Sequence, residues 1–245
     1  MLNLENRKII ITGAASGIGK AVSLKLAQQG SIVYAVDINK NELEKLKGEK
    51  YGEKIQTYVV DVSVPEQIKH FFIMLDQEEI FPDSLVNNAG IYLAKSILDY
   101  ENNEIDRVFN TNIRSAVLFS KYFAKRMIID KKNACIVNVS SVAGQEASSD
   151  AVYGLSKAAL IGLTKSNALN FSPNIRVNAV APGIVDTPMA HIITKERRES
   201  YREDELLNNP IQPEDVANTI IFLLSDASKH CTGAVFDINN GCYLR

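Results

Sequence analysis

The sequence predicts an α/β domain: a doubly wound parallel sheet of about seven strands, with helices on both faces. Three observations point there. Short Val/Ile-rich runs alternate with longer helical patterns from residue 8 to about 240. The strand runs are nearly continuous in apolar residues, as in strands covered on both faces, and do not alternate apolar with polar. No Gly/Ser-rich or Pro-rich linker divides the 245 residues, 46% of which are hydrophobic, so one domain with a large core is expected over 1–245.

The elements follow in order. KIIITG (8–13) is a strand ending in glycine, and GKAVSLKLAQQG (19–30) a helix closing on Gly30. SIVYAVD (31–37) is the second strand and KNELEKLKGEK (40–50) a polar helix. IQTYVVDVS (55–63) is the third strand. The helix over 64–77 opens with Pro65 in its first turn and turns a core-facing stripe of Phe71, Phe72, Ile73 and Met74 inward. SLVNNAG (84–90) is the fourth strand. A helix, or a broken pair, covers about 101–129. CIVNVSS (135–141) is the fifth strand, 151–171 a long helix, IRVNAVAPG (175–183) the sixth strand, 213–226 a late helix and AVFDIN (234–239) the last strand. The long irregular stretch over about 184–212 is polar and lies past the carboxyl end of a late strand, where a lid is expected.

Composition narrows the function classes. A net charge of −2 leaves no electrostatic footprint for nucleic acid or an anionic membrane. No apolar run approaches the ~20 residues of a membrane span, and the N-terminus does not read as a signal peptide. Cys135, Cys231 and Cys242 form no CxxC, which fits a reducing, cytoplasmic setting. His70, His191 and His230 are scattered without metal-ligand spacing, so no metal is expected.

The turn TGAASGIG (12–19) joins the first strand to the first helix. Its glycines permit a tight turn and let a pyrophosphate approach the backbone, while the helix start offers N–H donors and the positive end of a dipole. Asp37 ends the second strand, 18 residues after Gly19. An acidic residue there is placed to accept hydrogen bonds from a ribose 2′-hydroxyl and to repel a 2′-phosphate. Ala15 stands inside the turn, where an Arg or Lys could serve a 2′-phosphate. Both observations favour NAD over NADP.

With these pieces in place the chain resembles the short-chain dehydrogenases/reductases. The resemblance is carried by TGAASGIG (12–19), DVS (61–63), NNAG (87–90), NTN (110–112), NVSSVAG (138–144), YGLSK (153–157), RVNAVAPG (176–183) and TG (232–233), in the family's order and at about its spacing. It implies a Rossmann-like fold and hydride transfer between a nicotinamide and an alcohol or carbonyl carbon. It implies a catalytic set of Asn112, Ser141, Tyr153 and Lys157. Ser141 is chosen over Ser140 on its position in the motif, although it stands 12 rather than 13 residues before Tyr153; Ser140 is expected to pack or cap backbone. The cofactor set implied is Gly13, Ser16, Gly17, Ile18 and Gly19 in the turn, with Asp37. Asp61 and Val62 match the adenine contact, and Asn88, Ala89 and Gly90 the ribose wall. Pro182, Gly183, Ile184 and Thr187 match the strip beside the nicotinamide, and Tyr153 and Lys157 reach its ribose. Two departures from the family pattern are DINNG (237–241), in place of paired glycines, and NNPIQPEDVA (208–217), which lacks an arginine. A homo-oligomer, a tetramer, follows from the resemblance.

The chemistry explains the pattern. An alcohol releases hydride only as its O–H proton leaves, so a base is needed, and the reverse direction needs an acid. A phenol is a poor base at neutral pH, and an ammonium beside it stabilises the phenolate. Residues i and i+4 share one helix face, so Lys157 lies beside Tyr153 and is expected to lower its pKa. Ser141 is expected to hold the substrate oxygen, and Asn112, by family analogy, a water that relays protons from Lys157. The function expected is an NAD(H)-dependent oxidoreductase acting on a small alcohol or ketone. The alternatives are a 3-oxoacyl-thioester reductase, whose common preference for NADPH Asp37 opposes, and a dinucleotide-sensing scaffold, which would not need the catalytic set. The basic residues Arg197, Arg198 and Arg202 read as a solvated face, with an acidic substrate as the other option.

Overall fold

The computed structural model describes residues 4–244. Seven parallel strands form its centre: β1 (Lys8–Thr12), β2 (Ile32–Asp37), β3 (Ile55–Val59), β4 (Ser84–Asn87), β5 (Ala134–Val139), β6 (Ile175–Pro182) and β7 (Val235–Ile238), in the order β3-β2-β1-β4-β5-β6-β7. The β-branched runs make this sheet. Ile9, Ile10 and Ile11 of β1 are all fully buried, and successive residues serve opposite faces. Ile9 and Ile11 pack with Val22 and Leu26 of α1 (Gly17–Gln28) and with Ile220 and Leu224 of α8 (Pro213–Leu224). Ile10 packs on the other side with Ile68 and Phe71 of α3 (Pro65–Gln77) and Phe119 and Phe123 of α5 (Ser115–Ile129). Each such side chain contributes roughly 1.5–3 kcal/mol on leaving water, and the two layers together give the doubly wound, Rossmann-like arrangement the sequence predicts.

The strand order reverses beside β1, whose neighbours are β2 and β4. Their connections leave to opposite sides, and a cleft opens at the carboxyl ends there. The remaining helices are α2 (Lys40–Gly48), α4 (Asn102–Phe109), α6 (Ala151–Asn170) and α7 (Lys195–Glu203). No helix among the described residues is long and apolar enough to cross a membrane.

One expectation is refined and two are corrected. The segment over 101–129 is helical as expected, but α4 passes through a π-helical turn, Asn110–Arg114, into α5. The stretch over 184–212 is not irregular throughout. It contains α7, capped by Thr194, and a parallel bridge between Val185 and Ile211. In α3, Phe71 and Phe72 face the core, but Ile73 is 41% exposed, because four consecutive helical positions cannot all point one way.

Candidate active site

The cleft has a volume of about 490 Å³ and is floored by the ends of β1, β4, β5 and β6. Thr12 ends β1, and its Oγ1 accepts the backbone N–H groups of Asn88 at 3.0 Å and Ala89 at 3.1 Å. Asn88 Nδ2 in turn donates to the carbonyls of Thr12 and Gly13, at 3.0 and 2.9 Å. Gly13 then takes the left-handed region, φ +63°. A Cβ on Gly19 would stand 2.0 Å from the Gly13 carbonyl oxygen, so only glycine lets α1 start this close to β1. Gly13, Ser16, Gly17 and Ile18 line the cleft, with the start of α1 behind them; Gly19 is buried in the turn and does not line it.

The other candidate cofactor residues surround this turn. Asp37 lines the cleft at the end of β2, its Oδ2 accepting from Ala15 N at 3.0 Å and its Oδ1 from Asn39 N at 2.9 Å. It therefore caps the following turn as well as facing the cleft. Asp61 and Val62 line the rim past β3, where Asp61 Oδ1 accepts from Ser63 N and Oγ at 2.9 and 2.6 Å. Asn88, Ala89 and Gly90 line one wall and Pro182, Gly183, Ile184 and Thr187 the other. Bare backbone at the turn, a helix start and a rim carboxylate together fit a dinucleotide.

The candidate catalytic side chains meet beyond the turn. Ser140 and Ser141 follow β5 and point differently. Ser140 is buried and its Oγ donates to the Lys157 carbonyl at 2.7 Å, tying the end of β5 to the middle of α6. Ser141 opens a short 3₁₀ turn, accepts from Ala143 N at 3.2 Å, donates to Pro182 O at 3.5 Å and lies near the Tyr153 phenol. Tyr153 and Lys157 share one face of α6, with Lys157 Nζ 5.6 Å from the ring centroid and donating to the Val139 carbonyl at 2.9 Å. Asn112 sits in the π-helical turn, a geometry frequent at functional sites. Its Oδ1 accepts from Ile91 N at 2.8 Å, and its Nδ2 donates to Ile91 O and Ser156 Oγ, both at 3.0 Å. It lies behind the wall, and at Gly90 a Cβ would stand 3.4 Å from Asn112 Oδ1 and 3.5 Å from Lys157 Nζ.

One electrostatic expectation is reversed. Burial pushes the Tyr153 phenol up to about 12, which the nearby Ser141 hydroxyl only partly offsets, and pushes Lys157 down to about 8. Desolvation disfavours both charged forms, and here it outweighs the attraction expected from the i, i+4 spacing. At neutral pH the isolated site holds a protonated phenol, the form that donates a proton.

Two residues that the sequence left out belong to this site. Tyr92 lines the cleft and meets the Tyr153 ring edge-on, with centroids 4.8 Å apart and planes at 66°. Asp150 caps α6 by accepting the N–H of Tyr153 at 3.0 Å. An aspartate just before a long helix is a legible N-cap signal; nothing local marks Tyr92.

Known proteins agree with this arrangement. A family model described as enoyl-(acyl carrier protein) reductase matches residues 13–243. The chain is 40% identical over 247 residues to a 3-oxoacyl-[acyl-carrier-protein] reductase FabG of Thermotoga maritima, covering 99% of this chain and 100% of that one. It is 37% identical to dehydrogenase/reductase SDR family member 6 of Rattus norvegicus over the whole of both chains. Among solved structures, a 4-hydroxyisoleucine dehydrogenase complexed with NADH superposes with a TM-score of 0.91 at 34% identity, covering 97% of this chain and 98% of that one. A 3-oxoacyl-[acyl-carrier protein] reductase with bound NAD from Brucella melitensis superposes with a TM-score of 0.89 at 29% identity, covering 98% and 92%. With fold, motif order and full-length likeness in agreement, the chain belongs to the short-chain dehydrogenase/reductase family and is an oxidoreductase.

Proposed function

We propose that the protein transfers a hydride between NAD(H) and the CH–OH or C=O carbon of a small alcohol or ketone, with Tyr153 as general acid/base. The observation that carries this reading is the meeting of Tyr153 and Ser141 at the cleft wall, with Lys157 on the same helix face behind the phenol. Bound, the nicotinamide would supply the hydride acceptor or donor. In the reductive direction Tyr153 gives its proton to the carbonyl oxygen, Ser141 holds that oxygen, and Lys157 stabilises the phenolate left behind. Asn112 positions the loop at Ile91 beside Lys157 through three hydrogen bonds. Gly13, Ser16, Gly17 and Ile18 would seat the pyrophosphate on the turn that Gly19 keeps tight, with Asp37 at the adenosine ribose and Asp61 and Val62 at the adenine. Asn88, Ala89, Gly90, Pro182, Gly183, Ile184, Thr187 and Lys157 would hold the remainder. The segment 184–212, whose Tyr201 lines the cleft, serves as the lid. The NADH and NAD complexes among the structural neighbours support NAD as the cofactor. Family resemblance supports a homotetramer, and three free cysteines support a cytoplasmic setting.

The second reading is a 3-oxoacyl-thioester reductase, favoured by the 40% identical relative of that name. Asp37 does not exclude it, since a structural neighbour of that name holds NAD. A screen of secondary alcohols, sugars, hydroxy acids and steroids with NAD⁺, beside acetoacetyl thioester with NADH and with NADPH, read by NADH or NADPH absorbance, separates the two. On either reading Tyr153→Phe should lower hydride transfer at least about 100-fold while NADH binding, followed by NADH fluorescence, survives. Turnover of this variant at the wild-type rate would refute the mechanism.

A further inference from the structure

Among the described residues Asp150 is the one buried carboxylate, with 0% of its surface exposed, and no step above uses it. Its Oδ1 accepts the Tyr153 N–H at 3.0 Å as the cap of α6. Tyr100 donates its hydroxyl to both carboxylate oxygens, at 2.9 and 2.8 Å, and Lys95 N donates at 3.3 Å. These partners are donors only, the set a carboxylate requires. Tyr100 and Lys95 lie in the loop between β4 and α4, the loop that also brings Tyr92 onto the Tyr153 ring. One enclosed side chain thus ties that loop to the helical turn carrying Tyr153.

We propose that Asp150 is a positioning residue for hydride transfer: it fixes Tyr153 through the α6 cap and the Tyr92 loop, and its negative charge adds to burial in disfavouring the phenolate. This rests on the reading of Tyr153 as general acid/base. The groups acting on the phenol come from every side: Lys157 from α6, Ser141 from the end of β5, Tyr92 from the β4–α4 loop and Asp150 from the cap. Asp150 itself is faced by Tyr100, by Tyr92 and by Arg197 of α7, whose cation partly offsets its field. The Lys95 ammonium is paired with Glu104 at 2.5 Å and adds little net charge. A negative charge near a phenol disfavours the phenolate, so removing it must let Tyr153 ionise at lower pH. A residue that only capped a helix would leave that ionisation where it is.

The test is tyrosinate absorbance in protein saturated with NAD⁺, taken as the difference between each protein and the same protein carrying Tyr153→Phe. The chain has nine tyrosines, and the subtraction isolates one. Asp150→Asn and Asp150→Ser both keep a capping acceptor; if one fails to fold by circular dichroism, the other carries the measurement. Their Tyr153 midpoint should fall by about half a unit or more. Asp150→Glu, which keeps the charge, should retain the wild-type midpoint. Coincident midpoints in wild type and the neutral variants, or an equal shift in Asp150→Glu, would overturn the proposal while leaving Tyr153's role intact. A Tyr153 midpoint that stays above about pH 11 in the neutral variants, as in wild type, would overturn the proposal, and the role of Tyr153 is tested separately by turnover of Tyr153→Phe.

Discussion

Asp37 joins a structural role at the turn to the cofactor choice proposed above. Its two oxygens cap Ala15 and Asn39, which pins the carboxylate at the cleft rim. A charge so held repels a 2′-phosphate, and Ala15 offers no cation to reward one. Asp37→Ala should therefore narrow the ratio of kcat/KM for NAD⁺ over NADP⁺ by about tenfold or more, measured with the same alcohol. A wild-type enzyme that already prefers NADP⁺ would remove the basis of this expectation. Tyr153 and Lys157 were legible as a pair, because helical spacing alone sets two residues on one face. Their ionisation was not legible. It follows from how deeply α6 is buried against β5, and burial is a property of the assembled layers.

At the level of elements, the β1–α1 turn is the most constrained piece. Three short contacts meet any Cβ at Gly19: the Gly13 carbonyl oxygen at 2.0 Å, Asn88 Nδ2 at 2.6 Å and Gly13 C at 2.8 Å. Gly19→Ala must push α1 away from β1, break the Asn88 bonds and widen the turn. We expect a loss of at least about 2 kcal/mol of stability, seen in urea unfolding, together with loss of NADH binding. An unchanged midpoint with unchanged binding would contradict this geometry. Elements with apolar periodicity were predictable. The helix α7 was not, since KERRESYRE has no apolar stripe, and only contacts reveal what orders it. Thr194 caps it, and Tyr201 is shared between Arg197 Nε at 3.0 Å and Ser149 Oγ at 2.9 Å across the cleft. The turn after β7 likewise departs from the family's paired glycines: Asn240 Nδ2 donates to Glu205 Oε2 and Asn209 O, tying the turn to the segment before α8.

For the whole molecule, apolar side chains stay uncovered on two neighbouring helices: Val117, Ile128 and Ile129 of α5, and Leu155 and Leu169 of α6. Surfaces of this kind are usual where copies of a chain associate. Light scattering on the eluting peak should give four times the 27.1 kDa chain mass; a monomer at micromolar concentration would refute the tetramer. The chain by itself determined the layer order, the cleft and most of its lining. β-branched runs, glycine spacing and i, i+4 pairs are local properties that survive in any context. The tertiary structure alone decided the π-helical turn at Asn112, the placing of Tyr92 on Tyr153, and the union of Asp150 with Tyr100. Each of these depends on groups brought together from 21 to 61 positions apart by the closing of the sheet, and no local pattern encodes such a meeting.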